Sequence, residues 1–204
     1  MKVLRITAFS DFSCPYSYLT ESGLRRLSSA EVEIEYRALE LFPDPLPLPD
    51  PALEPAEWEL LQELAAADEL ELRRVGFRPR TRKAHEAARF AREHGSEPDL
   101  RHEIFRAYWA DERDIGRIDV LSDLALRVGL EPEEMKIALD IDRYSDEVEN
   151  DEGLARRLRI PGSPTLFLGT GATARVVAGA QSARQLRDLV HDEIRTRANR
   201  PEDG

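Results

Sequence analysis

The sequence has little cysteine: Cys14 is its one cysteine in 204 residues. A lone cysteine cannot form a disulfide within its own chain, so small secreted folds held by disulfide bridges are excluded. No apolar run approaches the roughly 18 residues that a membrane-spanning helix needs. Residues 1–9 are too short and too often charged for an export signal, and their pattern predicts a strand. We therefore expect a cytoplasmic protein with no membrane partner.

Basic residues are also fewer than acidic residues. The chain has 29 lysines and arginines against 40 acidic residues, and its net charge is −11. Proteins that bind the phosphate backbone need a basic surface, so no nucleic-acid partner is expected. The histidines have no metal-ligand spacing with each other or with Cys14, and no metal site is expected. The four histidines are His85, His94, His102 and His191.

The first forty residues predict a β-α-β unit. Residues 3–9 and 31–39 alternate apolar and other residues, as strands do. Between them a helix is expected from Pro15 to about Ala30, because proline is favoured at the first helical position. The six prolines of residues 41–55 exclude a regular helix or central strand, and they predict a semi-rigid connector.

The rest of the chain is first helical and then returns to strands. Residues 56–158 show apolar residues at helical spacing almost throughout. Residues 163–168 and 174–178 predict two strands, joined by a hairpin turn at residues 169–171. A last helix is expected over residues 182–198, with Ser182 as its N-cap.

This order of elements predicts an α/β protein with the thioredoxin fold, β-α-β followed by β-β-α, and a large α-helical insertion between the two halves. The thioredoxin-like domain is expected to comprise residues 1–42 and 159–204. The helical insertion domain, with its proline-rich connector, is expected to comprise residues 43–158.

Cys14 stands directly before Pro15, at the N-terminal edge of the first expected helix. A helix N-terminus favours a thiolate through the positive end of its dipole and its unpaired N–H groups. Ser17, one turn further on, can direct its hydroxyl or N–H group toward the sulfur. A carboxylate close to the sulfur would oppose ionisation, and Asp11 lies three residues earlier. The pattern favours a reactive cysteine and leaves an unreactive helix-cap cysteine open.

The segment IPGSPT, residues 160–165, is the second signal. A proline before a β-branched strand and after a small residue predicts a cis peptide bond between Ser163 and Pro164. Such a bond leaves the backbone of Ser163 exposed at the start of the strand, where an extended thiol ligand can pair with it. An ordinary proline before a strand is the alternative.

The motif DFSCPYSYL, residues 11–19, resembles the active-site segment of the FrnE-like subgroup of the DsbA family. It is also similar to kappa-class glutathione transferases and 2-hydroxychromene-2-carboxylate isomerases. The resemblance to the FrnE-like pattern extends over nearly the whole chain. It continues at Thr81 with Ala84 and His85, and in residues 105–109, 114–115, 121–129, 160–167 and 179–181.

The resemblance implies a thiol–disulfide oxidoreductase that acts through a mixed disulfide on Cys14. FrnE-like enzymes usually have a second cysteine where this chain has Ser17, so a single-thiol mechanism is implied, with no internal disulfide. The expected partner is a thiol or disulfide substrate, and a homodimer is left open. No bound cofactor is expected, but glutathione or another low-molecular-weight thiol serves as co-substrate. The implied catalytic residues are Cys14 and Ser17, and the implied substrate-binding residues are Pro15, Tyr16, Ser163, Pro164 and Gln181.

Two other functions remain open. A kappa-like transferase or isomerase would use Cys14 or Ser17 to position a glutathione thiol for addition to a small organic substrate. Kappa-class enzymes have a hydroxyl side chain where this chain has Cys14. The cysteine therefore favours this function less than thiol–disulfide exchange. A non-catalytic thioredoxin-fold module would instead bind partner segments along the edge at Pro164, and its Cys14 would show the pKa of a free thiol.

Overall fold

A computed structural model describes residues 3–27 and 31–198 of the chain. It is an α/β structure whose element order confirms the expected thioredoxin fold with helices between its two halves. The last residues of the first expected helix, 28–30, lie outside the described residues. The strands are β1 (Leu4–Ser10), β2 (Val32–Ala38), β3 (Thr165–Leu168) and β4 (Arg175–Ala178). The helices are α1 (Pro15–Leu27), α2 (Pro55–Ala67), α3 (Arg82–Glu93), α4 (Glu97–Trp109), α5 (Ile118–Arg127), α6 (Pro132–Asp140), α7 (Ser145–Leu158) and α8 (Ala183–Ala198).

The four strands form one sheet in the order β2-β1-β3-β4. β1 pairs with β2 in parallel and with β3 antiparallel, so that Ala8 lies opposite both Tyr36 and Leu166. The parallel pair is connected by α1, because parallel neighbours need a crossover. The segment that follows β1, including Cys14, therefore lies at the carboxyl end of a central strand and next to the start of β3.

Helices α1 and α8 pack against each other over one face of the sheet, and their close approach depends on Gly23. A β-carbon at this position would lie 2.6 Å from Leu186 Cδ1 and 3.1 Å from the backbone of Ala183. Ser182 caps α8 as expected. Its hydroxyl accepts the N–H of Gln185 at 3.2 Å, and the Gln185 side chain accepts the N–H of Ser182 at 2.9 Å.

The helices α3 to α6 build a second apolar core, which reaches into the first unit. Phe12 and Tyr18 belong to the same buried cluster as Phe90, Phe105 and Tyr108. The residues on both sides of Cys14 are thus anchored in the helical part. The expected division of the chain into two domains stays a prediction.

Two local expectations are wrong. Helix does not continue through the region after α2: Asp68 caps that helix, Glu69 adopts a positive φ of 58°, and α3 begins at Arg82. Leu70 and Leu72 lie in an irregular loop and pack against the apolar cores. Buried apolar residues at this spacing are also typical of a helix, which is why the sequence predicts one in this region. The connection between β3 and β4 is also longer than a tight hairpin turn, because it contains a short 3₁₀ turn at Gly171–Thr173.

Candidate active site

Cys14 occupies the cap position of α1, as the sequence predicts. Its N–H donates to the carbonyl oxygen of Asp11 at 3.1 Å, and its own carbonyl accepts the N–H groups of Ser17 and Tyr18 at 3.1 and 3.3 Å. Pro15 opens the helix, where a missing N–H costs nothing. Cys14 is only 4% exposed, so its sulfur is screened from solvent.

Ser163 meets Cys14 and Ser17 from the other half of the fold. The Ser163–Pro164 peptide bond is cis, as expected. The Cys14 thiol donates to the carbonyl oxygen of Ser163 over 3.3 Å. The Ser163 hydroxyl accepts the N–H of Asp11 at 2.8 Å and lies 2.6 Å from the Ser17 hydroxyl. Four of the predicted site residues, Cys14, Ser17, Ser163 and Pro164, are therefore brought together.

Asp11 organises the loop before Cys14, a role that the sequence analysis missed. Its carboxylate accepts the N–H of Ser13 at 2.8 Å and the N–H of Leu41 at 2.5 Å, and its side chain is fully buried. Burial raises the pKa of Asp11, and the hydrogen bonds from Leu41, Ser13 and Thr81 oppose this shift. An aspartate that accepts the N–H two residues later forms an Asx turn, which the DFS sequence could have indicated.

The environment of Cys14 favours the thiol over the thiolate. Burial raises the pKa of Cys14 most strongly, and the charge of Asp11 adds to the rise. Hydrogen bonding from the Ser17 hydroxyl and N–H opposes this rise in the pKa, and the Ser163 side chain acts in the same direction. The sequence predicts the helix N-terminus and the Ser17 contacts, but it does not predict the burial that outweighs them.

Tyr16 and Gln181 have their main contacts elsewhere. The Tyr16 hydroxyl donates to Glu57 of α2 at 2.8 Å, and burial together with this contact raises its pKa to about 12. The N–H of Gln181 donates to the Thr20 hydroxyl at 3.0 Å. Within residues 3–27 and 31–198, neither side chain is hydrogen-bonded to Cys14, so their substrate-binding roles stay predictions.

His85 lies beneath the loop that precedes Cys14, and its side chain is buried. Its ring is 4.9 Å from that of Phe12, and neither ring nitrogen has a hydrogen-bond partner among the described residues. Burial lowers the pKa of His85 well below its ordinary value, and the charges of Arg101 and Arg89 lower it further. His85 is therefore a neutral side chain at physiological pH. In the described part of the chain, no group of three or more histidine, cysteine or acidic residues could hold a metal ion.

A buried ion pair supports the same loop. Arg101 of α4 donates to Glu21 of α1 at 2.7 and 2.6 Å and to the Ser10 hydroxyl at 2.9 Å. Its guanidinium also covers the rings of Phe12 and Tyr36, at 4.6 and 4.8 Å from their centroids. No local pattern in the sequence indicates this pair, because its members lie 80 residues apart.

The comparisons with known proteins agree with this geometry. The sequence model of the DsbA-like thioredoxin domain matches residues 5–191. The chain belongs to this family. The expected DsbA-like membership is thereby confirmed, whereas the FrnE-like subgroup stays a prediction.

Individual relatives cover more than nine-tenths of the chain. It is 27% identical over 198 residues to YwbO, an uncharacterized Bacillus subtilis protein, with 93% of this chain and 97% of YwbO covered. A Streptomyces coelicolor crystal structure, described as a probable DsbA oxidoreductase, is 26% identical with a TM-score of 0.79 and covers 98% of this chain and 93% of its own. The cytosolic disulfide reductase DsbM of Pseudomonas aeruginosa shares the fold at 18% identity, with a TM-score of 0.69 and 94% and 99% of the two chains covered. None of the helices in the described segments could span a bilayer.

Proposed function

We propose that this protein is a thiol–disulfide oxidoreductase that acts through Cys14 alone. The observation that carries the proposal is the convergence of Cys14, Ser17 and Ser163 at the N-terminus of α1. Because Cys14 is the one cysteine of the sequence, it forms its disulfides with other molecules. The likeness to the Streptomyces oxidoreductase supports the same class of reaction.

The reaction consists of two exchange steps. In the first, the Cys14 thiolate attacks one sulfur of a substrate disulfide; the substrate S–S bond breaks, one half leaves as a thiolate, and the other half stays bound to Cys14. In the second, an external thiolate attacks this mixed disulfide and releases Cys14 as a thiolate. One disulfide is consumed and one is formed, so the exchange needs no other oxidant or reductant. Glutathione or another low-molecular-weight thiol fills the second role.

Ser17 assists the first step. Hydrogen bonding from its hydroxyl and N–H group lowers the pKa of Cys14 against the effect of burial. The Ser17 hydroxyl is itself held by the Ser163 hydroxyl at 2.6 Å, which fixes its direction. Ser17 therefore stabilises the thiolate without supplying a second thiol.

The proposed location is the cytoplasm. A single-thiol mechanism depends on a steady supply of external thiols, which a reducing compartment provides. A protein or small-molecule disulfide is the substrate class that fits such a compartment. Oligomeric state does not enter the mechanism, because all four site residues come from one chain.

Turnover of a glutathione mixed disulfide tests the proposal. Wild-type protein should release glutathione disulfide at a rate that depends on the concentration of free glutathione. Cys14→Ser should lose this turnover, whereas Ser122→Ala, a substitution in α5, should retain it. Unchanged turnover in Cys14→Ser would remove Cys14 from the reaction.

The raised pKa of Cys14 favours one further candidate. A protonated thiol that donates a hydrogen bond can position a ligand as a hydroxyl does, and kappa-like transferases use a hydroxyl at this place. In that function Cys14 or Ser17 would hold the sulfur of glutathione for addition to a small organic substrate. Calorimetry separates the two candidates: a transferase binds reduced glutathione saturably, and the binding survives in Cys14→Ser.

A further inference from the structure

A cavity of about 190 Å³ lies between the proline-rich connector, α2 and the loop that precedes α3. Its walls are mostly apolar and include the side chains of Trp58, Trp109, Leu53 and Val75. A cavity of about 150 Å³ accommodates a benzene ring. This tryptophan pocket, as we name it, has room for one aromatic ring.

One cation stands at the rim of the tryptophan pocket. The Arg74 guanidinium lies 5.1 Å from the centre of the Trp58 ring, and no carboxylate in the described part of the chain forms an ion pair with it. Asp50 is the one acid among the described residues of the lining, and its carboxylate accepts the N–H of Ala52 at 2.8 Å. By contrast, the neighbouring Arg73 is paired with Glu71 at 2.6 Å. Arg74 is thus the cation that remains for a ligand.

The tryptophan pocket is joined to the residues around Cys14 on both sides. The Trp109 indole N–H donates to the carbonyl oxygen of Phe12 at 3.0 Å. On the other side, the Tyr16 hydroxyl donates to Glu57, the residue before Trp58. Phe12 and Tyr16 each lie two positions from Cys14. The pocket therefore adjoins the active-site loop.

We propose that the tryptophan pocket binds the half of a disulfide substrate that carries an aromatic ring and a carboxylate. The ring packs against the indoles, and the carboxylate pairs with the exposed guanidinium of Arg74, which lies over the Trp58 ring at the edge of the pocket. This inference rests on the proposed exchange at Cys14, and it adds the substrate class to it.

Binding can be measured without any thiol chemistry, because the chain has just two tryptophans and both line the pocket. The probe is para-nitrobenzoate, which quenches indole fluorescence, added to the Cys14→Ser protein. We expect saturable quenching that Arg74→Gln weakens about fivefold, the loss of one partly exposed ion pair. The control Arg73→Gln should bind as tightly as its parent. Non-saturable quenching, equal loss in both arginine variants, or equal binding of para-nitrobenzamide or para-nitrobenzylamine would overturn the inference.

Exchange kinetics then separate this inference from the proposed function. Dithiobis(nitrobenzoate) has a carboxylate on each ring, and dithiodipyridine has none. In the otherwise wild-type protein, Arg74→Gln should slow the reaction of Cys14 with the first reagent about fivefold and leave the second unchanged. Exchange of both reagents at rates independent of Arg74 overturns the pocket and leaves the exchange function standing. Failure of wild-type protein to react with either reagent overturns the exchange function itself.

Discussion

The sulfur of Cys14 lies 3.3 Å from the carbonyl oxygen of Ser163, although the two residues are 149 positions apart in the sequence. A carbonyl oxygen accepts a hydrogen bond from a thiol and repels a thiolate, so this contact is made by the protonated form. The Ser17 hydroxyl and N–H favour the opposite state. The raised pKa and the contact with Ser163 both favour the thiol form of Cys14 at rest.

The rate of Cys14 alkylation should rise with pH, with a midpoint above that of an ordinary cysteine, because burial raises the pKa of this thiol. Ser17→Ala should move the midpoint further up, since the bonds from its hydroxyl stabilise the thiolate. Asp11→Asn should move it down, since a negative charge is removed. Iodoacetamide kinetics followed over pH measure all three. A wild-type midpoint below that of a free cysteine would contradict this description of the site.

Ser17→Cys should give the chain a second thiol that can resolve the mixed disulfide internally. Residues 14 and 17 stand one helical turn apart, the spacing of C-x-x-C motifs at helix N-termini. Mild oxidation should then remove both free thiols and lower the mass by two hydrogens. The matched control is Ser122→Cys in α5, which should keep two free thiols as a monomer. Two titratable thiols in oxidised Ser17→Cys would show that the loop cannot close this bond.

Ser163→Ala should destabilise the fold by about 1–2 kcal/mol, because it leaves the N–H of Asp11 without its acceptor. Urea unfolding of both proteins gives the difference. Ser122→Ala serves as the control: the Ser122 hydroxyl is buried and has no partner in the described structure, so its removal should be neutral or stabilising. Equal losses of unfolding free energy in Ser163→Ala and Ser122→Ala would mean that the Ser163 hydroxyl contributes no more to stability than an unpaired hydroxyl.

Glu40 should make stability fall as the pH rises from about 4.5 to about 7. Its side chain is buried beside Arg82, and burial raises its pKa to about 7. In that window the folded chain holds the proton and the unfolded chain does not, so the folded state loses stability as the proton leaves. Glu40→Gln should therefore become more stable than wild type by on the order of 2 kcal/mol at pH 8, with little difference at pH 4.5.

Denaturant unfolding at several pH values tests this prediction. The difference between the free energies of unfolding of Glu40→Gln and wild type should grow with pH across the window. A flat difference for Glu40→Gln would mean that Glu40 is ionised in the folded protein at all of these pH values.

The sequence was sufficient for the order of elements and for part of the site. The alternating segments predicted β1 and β2 to within a residue or two, and the SPT sequence predicted the cis bond at Pro164. The strands depend on local periodicity, and the cis bond depends on a proline and its immediate neighbours. Both signals are present in a single sequence.

Other features depend on which distant segments pack against a residue, and local sequence patterns carry no information about those contacts. Leu70 and Leu72 lie in an irregular loop, but in the sequence their apolar side chains resemble the buried face of a helix. The protonated state of Cys14 results from its burial against Ser163. The pair of Arg101 and Glu21 joins two helices, and its members lie 80 residues apart in the sequence.

Mass spectrometry of the acid-quenched protein tests the central claim most directly. After reaction with a glutathione mixed disulfide, wild-type protein should carry one glutathione adduct on Cys14, and added free thiol should remove it at the rate of turnover. Cys14→Ser should carry no adduct and show no turnover. Turnover in Cys14→Ser, or an adduct on Cys14 that free thiol does not remove, would contradict the single-thiol exchange mechanism.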